Sequence, residues 1–461
     1  MASERKVRGK YSACTAAVLL IGMWAAPAVA REEVQRDFHK TVALPSAHLF
    51  RIENSNGNVT IHTHSKPEVE INASIHCSAD TASEAQSFCD QIQIVVDEGT
   101  SLSVHTQYPS HWSSHSLSHV VHYDISMPQS SPLEVRNHFG AVTVTDLHAA
   151  GIIRNNNGHV TLSSTRSRQE VENSFGDVEV RGNDGDVTIR NGNGGVTATD
   201  ITGALEITNR FGQVRVSRTG HGLTIRSNNG NIQVEHVTGA AVIGNSFGPV
   251  LVTDGKADVT VQNQNGEVRA TDVAGTADLR TSFGSINFSH VGKALTARAQ
   301  NAAIVGDTVG GAAVVETTFG RVELRDVKGG ARVTAGNSSI RLSAIGGEVY
   351  AKTSFAPTII SDAAGPIIVE STNGSVTVES KPGARCQPVA LSTSFGPIRV
   401  TVPGGIGYNV SSRTTFGKIR SEPDLTVTGS IGGDALNGKI GGGGCDLKLI
   451  DQNGSIDILK R

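Results

Sequence analysis

The chain has 461 residues, of which 52 are glycine, 4% are aromatic and 18% are charged. Its 40 Lys and Arg against 43 Asp and Glu give a net charge of −3, which excludes the basic footprint of a nucleic-acid-binding protein. The scarcity of aromatics and the dominance of Val, Ile, Ala, Thr, Asn and Gly exclude a conventional globular core and point to strands and turns.

Residues 1–30 read as a signal peptide: basic Arg5, Lys6, Arg8 and Lys10, an apolar run from about Ala16 to Ala26, and the small-x-small site Ala28-Val29-Ala30. The run is too short to span a membrane permanently, and no second one follows, so the mature chain is expected to lack a transmembrane segment. Cleavage removes four basic residues and one acidic one and leaves a net charge of about −6. Export permits disulfides, and Cys77 with Cys89 and Cys386 with Cys445 are the candidate pairs, free thiols being the alternative. Their spacings match no zinc pattern.

Residues 31–136 read as an N-terminal cap of α+β character. Strand-like runs lie around Ile52, Asn58–Ile61 and Val69–Ile71, a helix over Thr81–Ile92, and strands over Ile92–Val96 and Ser101–Val104. His105, His111, His115, His119 and His122 are the densest ionisable cluster. No Cys or fixed carboxylate completes a metal site there, and the expected reading is a solvated His/Ser-rich loop.

From Phe139 a repeat takes over, and residues 137–381 form one regular section. Phe139, Phe175, Phe211, Phe247, Phe283, Phe319 and Phe355 fall 36 residues apart, with Asn157, Asn193, Asn229, Asn265, Asn301, Asn337 and Asn373 midway. The unit is therefore 18 residues, starting alternately with Phe and Asn. Positions 4 and 6, and again 13 and 15, are apolar, a period of two that marks two short strands with one buried face each. Gly recurs at positions 2 and 11, where turns are expected. One unit cannot bury its own apolar face, so units must stack. The fold class is all-β, a β-solenoid of 18-residue coils. A 36-residue coil would place Arg154, Arg190 and Arg226 over one another, which like charges disfavour. Asn at position 17 is expected to form a coil-to-coil ladder. Asp at position 8 (Asp146, Asp200, Asp254, Asp272, Asp326, Asp362) reads as a turn residue rather than a calcium ligand. Residues 382–461, with irregular steps through Phe395, Phe416, Asn437 and Asn453, read as a C-terminal cap.

The outward positions offer one candidate binding feature. Arg154, Arg190, Arg226 and Arg298 at position 16 form a stripe that could hold an anionic ligand; ordinary solubilising charge is the alternative. No acidic cluster builds up along the repeats, and no cofactor, metal site or catalytic residue is expected.

The ordered set Asn56-Gly57-Asn58-Val59, Tyr123-Asp124-Ile125-Ser126-Met127-Pro128, the repeated x-Gly-x-Val-x-Val units and Asn453-Gly454-Ser455-Ile456-Asp457-Ile458 resembles the bacterial adhesin-like, β-strand-repeat family DUF4097. The resemblance implies a β-helix-like fold and a role in the envelope or at the surface, and it supplies no catalytic residues. The expectation is an exported, non-catalytic scaffold in the periplasm, at the cell surface or outside the cell. Its partner would be an unidentified surface or envelope ligand, glycan or protein. The alternatives are a carbohydrate-active β-helix and a structural envelope protein that associates end to end.

Overall fold

The computed structural model describes residues 31–45, 47–109, 117–381, 385–427 and 434–461. The expected signal peptide, and His111 and His115, lie outside them. Each 18-residue unit makes one coil of two strands, and successive coils stack in parallel into two long sheets, which with their end strands number 21 and 22 strands among the described residues. Val214 pairs with Val196 below and Ile232 above. Ile225 on the second strand pairs with Ile207 and Ile243. Like positions therefore stack at every 18 residues, as the alternating charges at position 16 require: Glu172 lies between Arg154 and Arg190.

The four apolar columns close a single core between the sheets. Val214, Val216, Leu223 and Ile225 in one coil are all at most 1% exposed. Strict alternation breaks at two turns, and these shape the coil. At position 8 the backbone enters the left-handed region, from φ 51° at Asp326 to 70° at Gly182, so positions 7 and 8 both face outward. Asp tolerates that conformation through its short polar side chain. Position 9 then turns inward and adds a fifth core column, including Ile201, Val237, Val273 and Val327.

Position 17, at the other corner, holds a buried Asn in seven coils from Asn137 to Asn263, and Ser, Thr or Ala in the others. The expected side-chain ladder gives way mostly to side-chain-to-backbone bonding. Asn155 Nδ2 donates to Gly158 O in its own turn and Gly140 O in the turn below, at 3.2 and 3.3 Å. Asn209 repeats this with Gly212 and Gly194, and only Asn137 to Asn155 joins two such side chains directly. Coil spacing brings the turn carbonyls within reach of each amide, so the Asn column pins one turn to the next. Gly212 at position 2 has φ +116°, and a Cβ there would lie 2.2 Å from Gly194 O. Glycine at position 2 therefore answers both to conformation and to stacking. At position 11 stacking decides for Gly203, which is not left-handed but whose Cβ would lie 2.3 Å from the Gly185 carbonyl carbon, whereas Gly185 itself has φ +141°.

The ends are woven rather than added on, so the expected boundaries at 136/137 and 381/382 do not part the sheets. The strands Phe50–Asn56 and Val59–His64 form a coil inserted between later segments of the chain. Leu102–Gln107 and Ser118–Pro128 flank it on one side, and Leu133–Phe139 and Val142–Thr145 on the other. The C-terminus repeats the device. Cys445–Asp451 and Ile456–Lys460 slot between Val389–Thr393 with Ile398–Val402 and Tyr408–Arg413 with Ile419–Ser421.

Antiparallel strands finish both ends. Glu32–Ala43 runs against Glu68–Ala79, and Ala435–Ile440 runs against Tyr408–Arg413. The helix Ala82–Gln91 is capped by Thr81, whose hydroxyl accepts from the Glu84 N–H, and it buries Ala85, Phe88 and Cys89. Cys77 is bonded to Cys89, and Cys386 to Cys445. No helix among the described residues is long and apolar enough to cross a membrane.

Candidate functional site: a phenylalanine edge and the polar groove beside it

After the inward position 17 the chain turns through the positive-φ glycine at position 2, so positions 18 and 1 both point outward and the coil has an edge there. Nine of the 13 phenylalanines sit on it, 46–80% exposed, from Phe139 to Phe416. Each Phe from Phe139 to Phe395 is flanked by Asn in the coils above and below: Asn157 pairs with both Phe139 and Phe175. The alternation persists at the woven ends, where chain order fails. Asn56 of the inserted N-terminal coil lies beside Phe139. At the other end, the Asn453 N–H donates to Ser394 O, and the Phe416 N–H donates to Gln452 O. The spatial order there is Phe395, Asn453, Phe416, although the chain order is Phe395, Phe416, Asn453.

Nothing in the sequence pattern marked these rings as exposed. A Phe two residues from a buried column reads as core by alternation alone, and the turn after position 17 that shifts the parity shows only in three dimensions. The signal available was the regular pairing of Phe with Asn at one position, since a column that accepts either residue is seldom a packed core column.

A concave groove runs beside this edge on the outer face of the second sheet, along positions 16–18. Three stretches of about 530, 390 and 500 Å³ follow one another from Arg154 to Thr334. Their linings repeat the same chemistry: Arg190, Asn191 and Phe175 in the first, Arg226, Asn245 and Gln262 in the second, Arg298, Gln300 and Thr318 in the third.

The four arginines of the expected anionic stripe line this groove, and each already holds a carboxylate from a nearby coil. Arg154 bonds Glu172 at 3.2 Å and Glu134 at 3.4 Å. Arg190 bonds Glu170 at 3.0 Å, Arg226 bonds Glu206 at 2.9 Å, and Arg298 bonds Glu316 at 2.9 Å. The stripe is charge-balanced along its length, which supports solubilising charge over an anion site. At position 8, Asp254 is held by His236 at 2.6 Å and by Lys256, and Asp200 by Arg218 at 2.9 Å. These cationic partners hold both carboxyls below their ordinary value, led by the Lys256 and Arg218 hydrogen bonds.

Among the described residues the histidines form no centre. His119 and His122 belong to the strand Ser118–Pro128 rather than to a solvated loop. The His119 ring packs 4.6 Å from Tyr108 and 5.5 Å from Phe88, and burial lowers its pKa. His122 Nδ1 accepts from the Asn58 N–H. Alternating side-chain direction in the strand spreads the residues that a one-dimensional count had clustered. Among the described residues no group of three or more His, Cys, Asp or Glu could hold a metal ion.

Two carboxylates deviate from the outward pattern. Glu134 is only 9% exposed, at the seam between the woven N-terminal coil and the repeats. It receives Arg51 at 2.8 Å and Arg136 at 2.8 Å, with Arg154 at 3.4 Å. Burial pushes its pKa upward, but the hydrogen bonds and charges of Arg51 and Arg136 together outweigh that and hold it below its ordinary value. Asp451 occupies position 17 of the inserted C-terminal coil, paired in register with Thr393. It is 1% exposed, its Oδ2 has no partner, and burial pushes its pKa up against the amides of Asn453 and Gln452. Asn fills this place in seven of the 14 regular coils, from Asn137 to Asn263, and donates to the turn glycine. Asp451→Asn is therefore expected to raise stability at pH 7 by about 1 kcal/mol. Because the folded-state pKa is raised, the wild type recovers stability as pH falls through that value, so the gain should shrink toward pH 4. Thermal melts of both proteins at pH 7 and pH 4 check the sign.

No family model matches the sequence, and no curated protein matches it. Two solved structures are similar. One is described as a candidate cell adhesion protein of Clostridium sporogenes, 7% identical, with 93% of this chain and 100% of that one covered at a TM-score of 0.19. The other is described as a candidate adhesin of Parabacteroides distasonis, 7% identical, with 79% and 97% covered at a TM-score of 0.17. At those scores neither carries an argument; the class of protein, a two-sheet β-solenoid, rests on the strand register.

Proposed function

We propose that this chain is an exported, non-catalytic, adhesin-like rod that binds envelope or cell-surface molecules along its length. The observation that carries the proposal is the groove of positions 16–18, which offers similar polar contacts coil after coil over three consecutive stretches. Many weak, repeated contacts suit an extended or multivalent ligand. The resemblance to DUF4097 adds the expectation of an envelope or surface setting. A glycan and envelope-component binding array, run on the purified protein, tests the reading. Binding that tracks ligand length supports it, and no binding to any component overturns it.

The carbohydrate-active alternative needs two carboxyls about 5–9.5 Å apart. Glu172 and Glu316 are the carboxylates lining the groove, and eight coils at about 4.8 Å place them roughly 38 Å apart. Each is held by an arginine. The expected result is that neutral and acidic polysaccharides stay uncut by the purified protein, with or without added Ca²⁺ or Zn²⁺, in a reducing-end assay. Turnover lost on mutating a single Asp, Glu or His would move the assignment to the alternative.

A further inference from the structure

We infer that the phenylalanine edge is a self-association surface, on which a second copy of this chain lies side by side with the first. An exposed aromatic is costly to repeat, and this chain places nine of its 13 phenylalanines on one edge. A duplicated two-coil unit accounts for the Phe–Asn alternation from Phe139 to Asn373. It does not account for Asn56 or Asn453, which reach the edge only because end coils are threaded in from elsewhere in the chain. The alternation is therefore a property of the surface itself.

The rings recur at every second coil, about 9.6 Å apart. A second copy has that same period over its whole length, so each ring can seat above an Asn-Gly turn, between two rings of the partner. Glycine at position 2 leaves space for this, and Asn at position 1 is small enough to receive a ring. The flanking columns are nearly free of charge. From Asn156 to Ser354 position 18 carries only Arg210, and from Ala141 to Ser375 position 3 carries Asp177, Glu267 and Arg321 besides His159. Charge depletion around aromatic anchors is the compositional mark of an interface core.

The area suffices. A phenylalanine side chain offers about 200 Å², so nine half-exposed rings present roughly 900 Å² per copy, against about 800 Å² per partner in a standard stable interface. Two-fold pairing with the rods antiparallel closes the contact and limits it to a dimer. End-to-end growth is opposed by the antiparallel closing strands, the outer of which, Glu32–Ala43, carries Glu32, Glu33, Arg36, Asp37 and Lys40.

The test follows from the alternation. Asn already fills position 1 in every other coil, so Phe211→Asn, Phe247→Asn and Phe283→Asn combined should keep the coils intact. Sedimentation equilibrium is expected to show a dimer for the wild type and a dissociation constant raised about 100-fold or more for the triple variant, with circular dichroism melts nearly superimposed. Small-angle scattering of the wild type alone supplies a second reading. A side-by-side pair doubles the mass per unit length, whereas an end-to-end pair doubles the length. A monomeric wild type at about 100 μM, a dimer insensitive to the triple variant, or a doubled length each overturns the inference. If the wild type is monomeric and the triple variant instead loses binding to insoluble polysaccharide, the edge belongs to a glycan.

Discussion

Val214→Asp and Ile225→Asp are each expected to destabilise the rod by about 4 kcal/mol, while Arg215→Ala changes it by less than about 0.5 kcal/mol. Val214 and Ile225 are both fully buried, on opposite strands of one coil. Each is stacked between aliphatic residues of the coils on either side. A carboxylate there meets neither water nor a cation, so it must be buried unpaired or take up a proton, and either is costly. The damage should be local in structure and wide in consequence, because every coil is held only by its neighbours. Circular dichroism melts and limited proteolysis check both points, with cleavage expected near the substituted coil. Arg215 sits between Val214 and Val216 in sequence but faces solvent. Equal tolerance at Val214 and Arg215 would contradict the register.

Glu134→Ala is expected to cost about 2–3 kcal/mol, and Glu134→Gln somewhat less. Glu134 gathers Arg51 from the woven N-terminal coil with Arg136 and Arg154 from the first repeats. Removing it takes the shared carboxylate from three guanidinium groups at that seam, of which Arg136 keeps Glu53 and Arg154 keeps Glu172. The arginines are 36–51% exposed, and water moderates the loss, so the figure falls below that for a fully buried pair. The linkage has a definite sign. The folded-state pKa is depressed, so the stabilisation is fully present above the ordinary value near 4.5 and is lost as pH falls through the folded value. The wild type should therefore lose more stability than Glu134→Gln between pH 5 and pH 3. Parallel slopes for the two proteins would mean that the clamp contributes no net stability.

These outcomes separate two kinds of information. The spacing of Phe139, Asn157 and Phe175, and the period-two columns that include Val214 and Ile225, determined the solenoid, its 18-residue coil and its core. They did so because parallel stacking forces like positions into contact, and a repeated contact must be written repeatedly in the chain. The helix at Thr81–Ile92 was legible for a local reason: a capping hydroxyl precedes a run of good helix formers. Three features were settled only by tertiary structure. The left-handed turn at position 8 and the positive-φ glycine turn at position 2, just after the inward column at position 17, each shift the alternation by one residue. That shift sends Ile201 and Val237 into the core and Phe211 and Phe247 out of it. The arginine stripe looked free because its carboxylate partners are 18 or 20 residues away and become neighbours only when coils stack. The threading of Phe50–Asn56 and Cys445–Asp451 into the stack depends on which edges the end segments can reach after folding. No local pattern encodes that choice, because pairing between distant strands is decided by the surface each buries and not by their order along the chain.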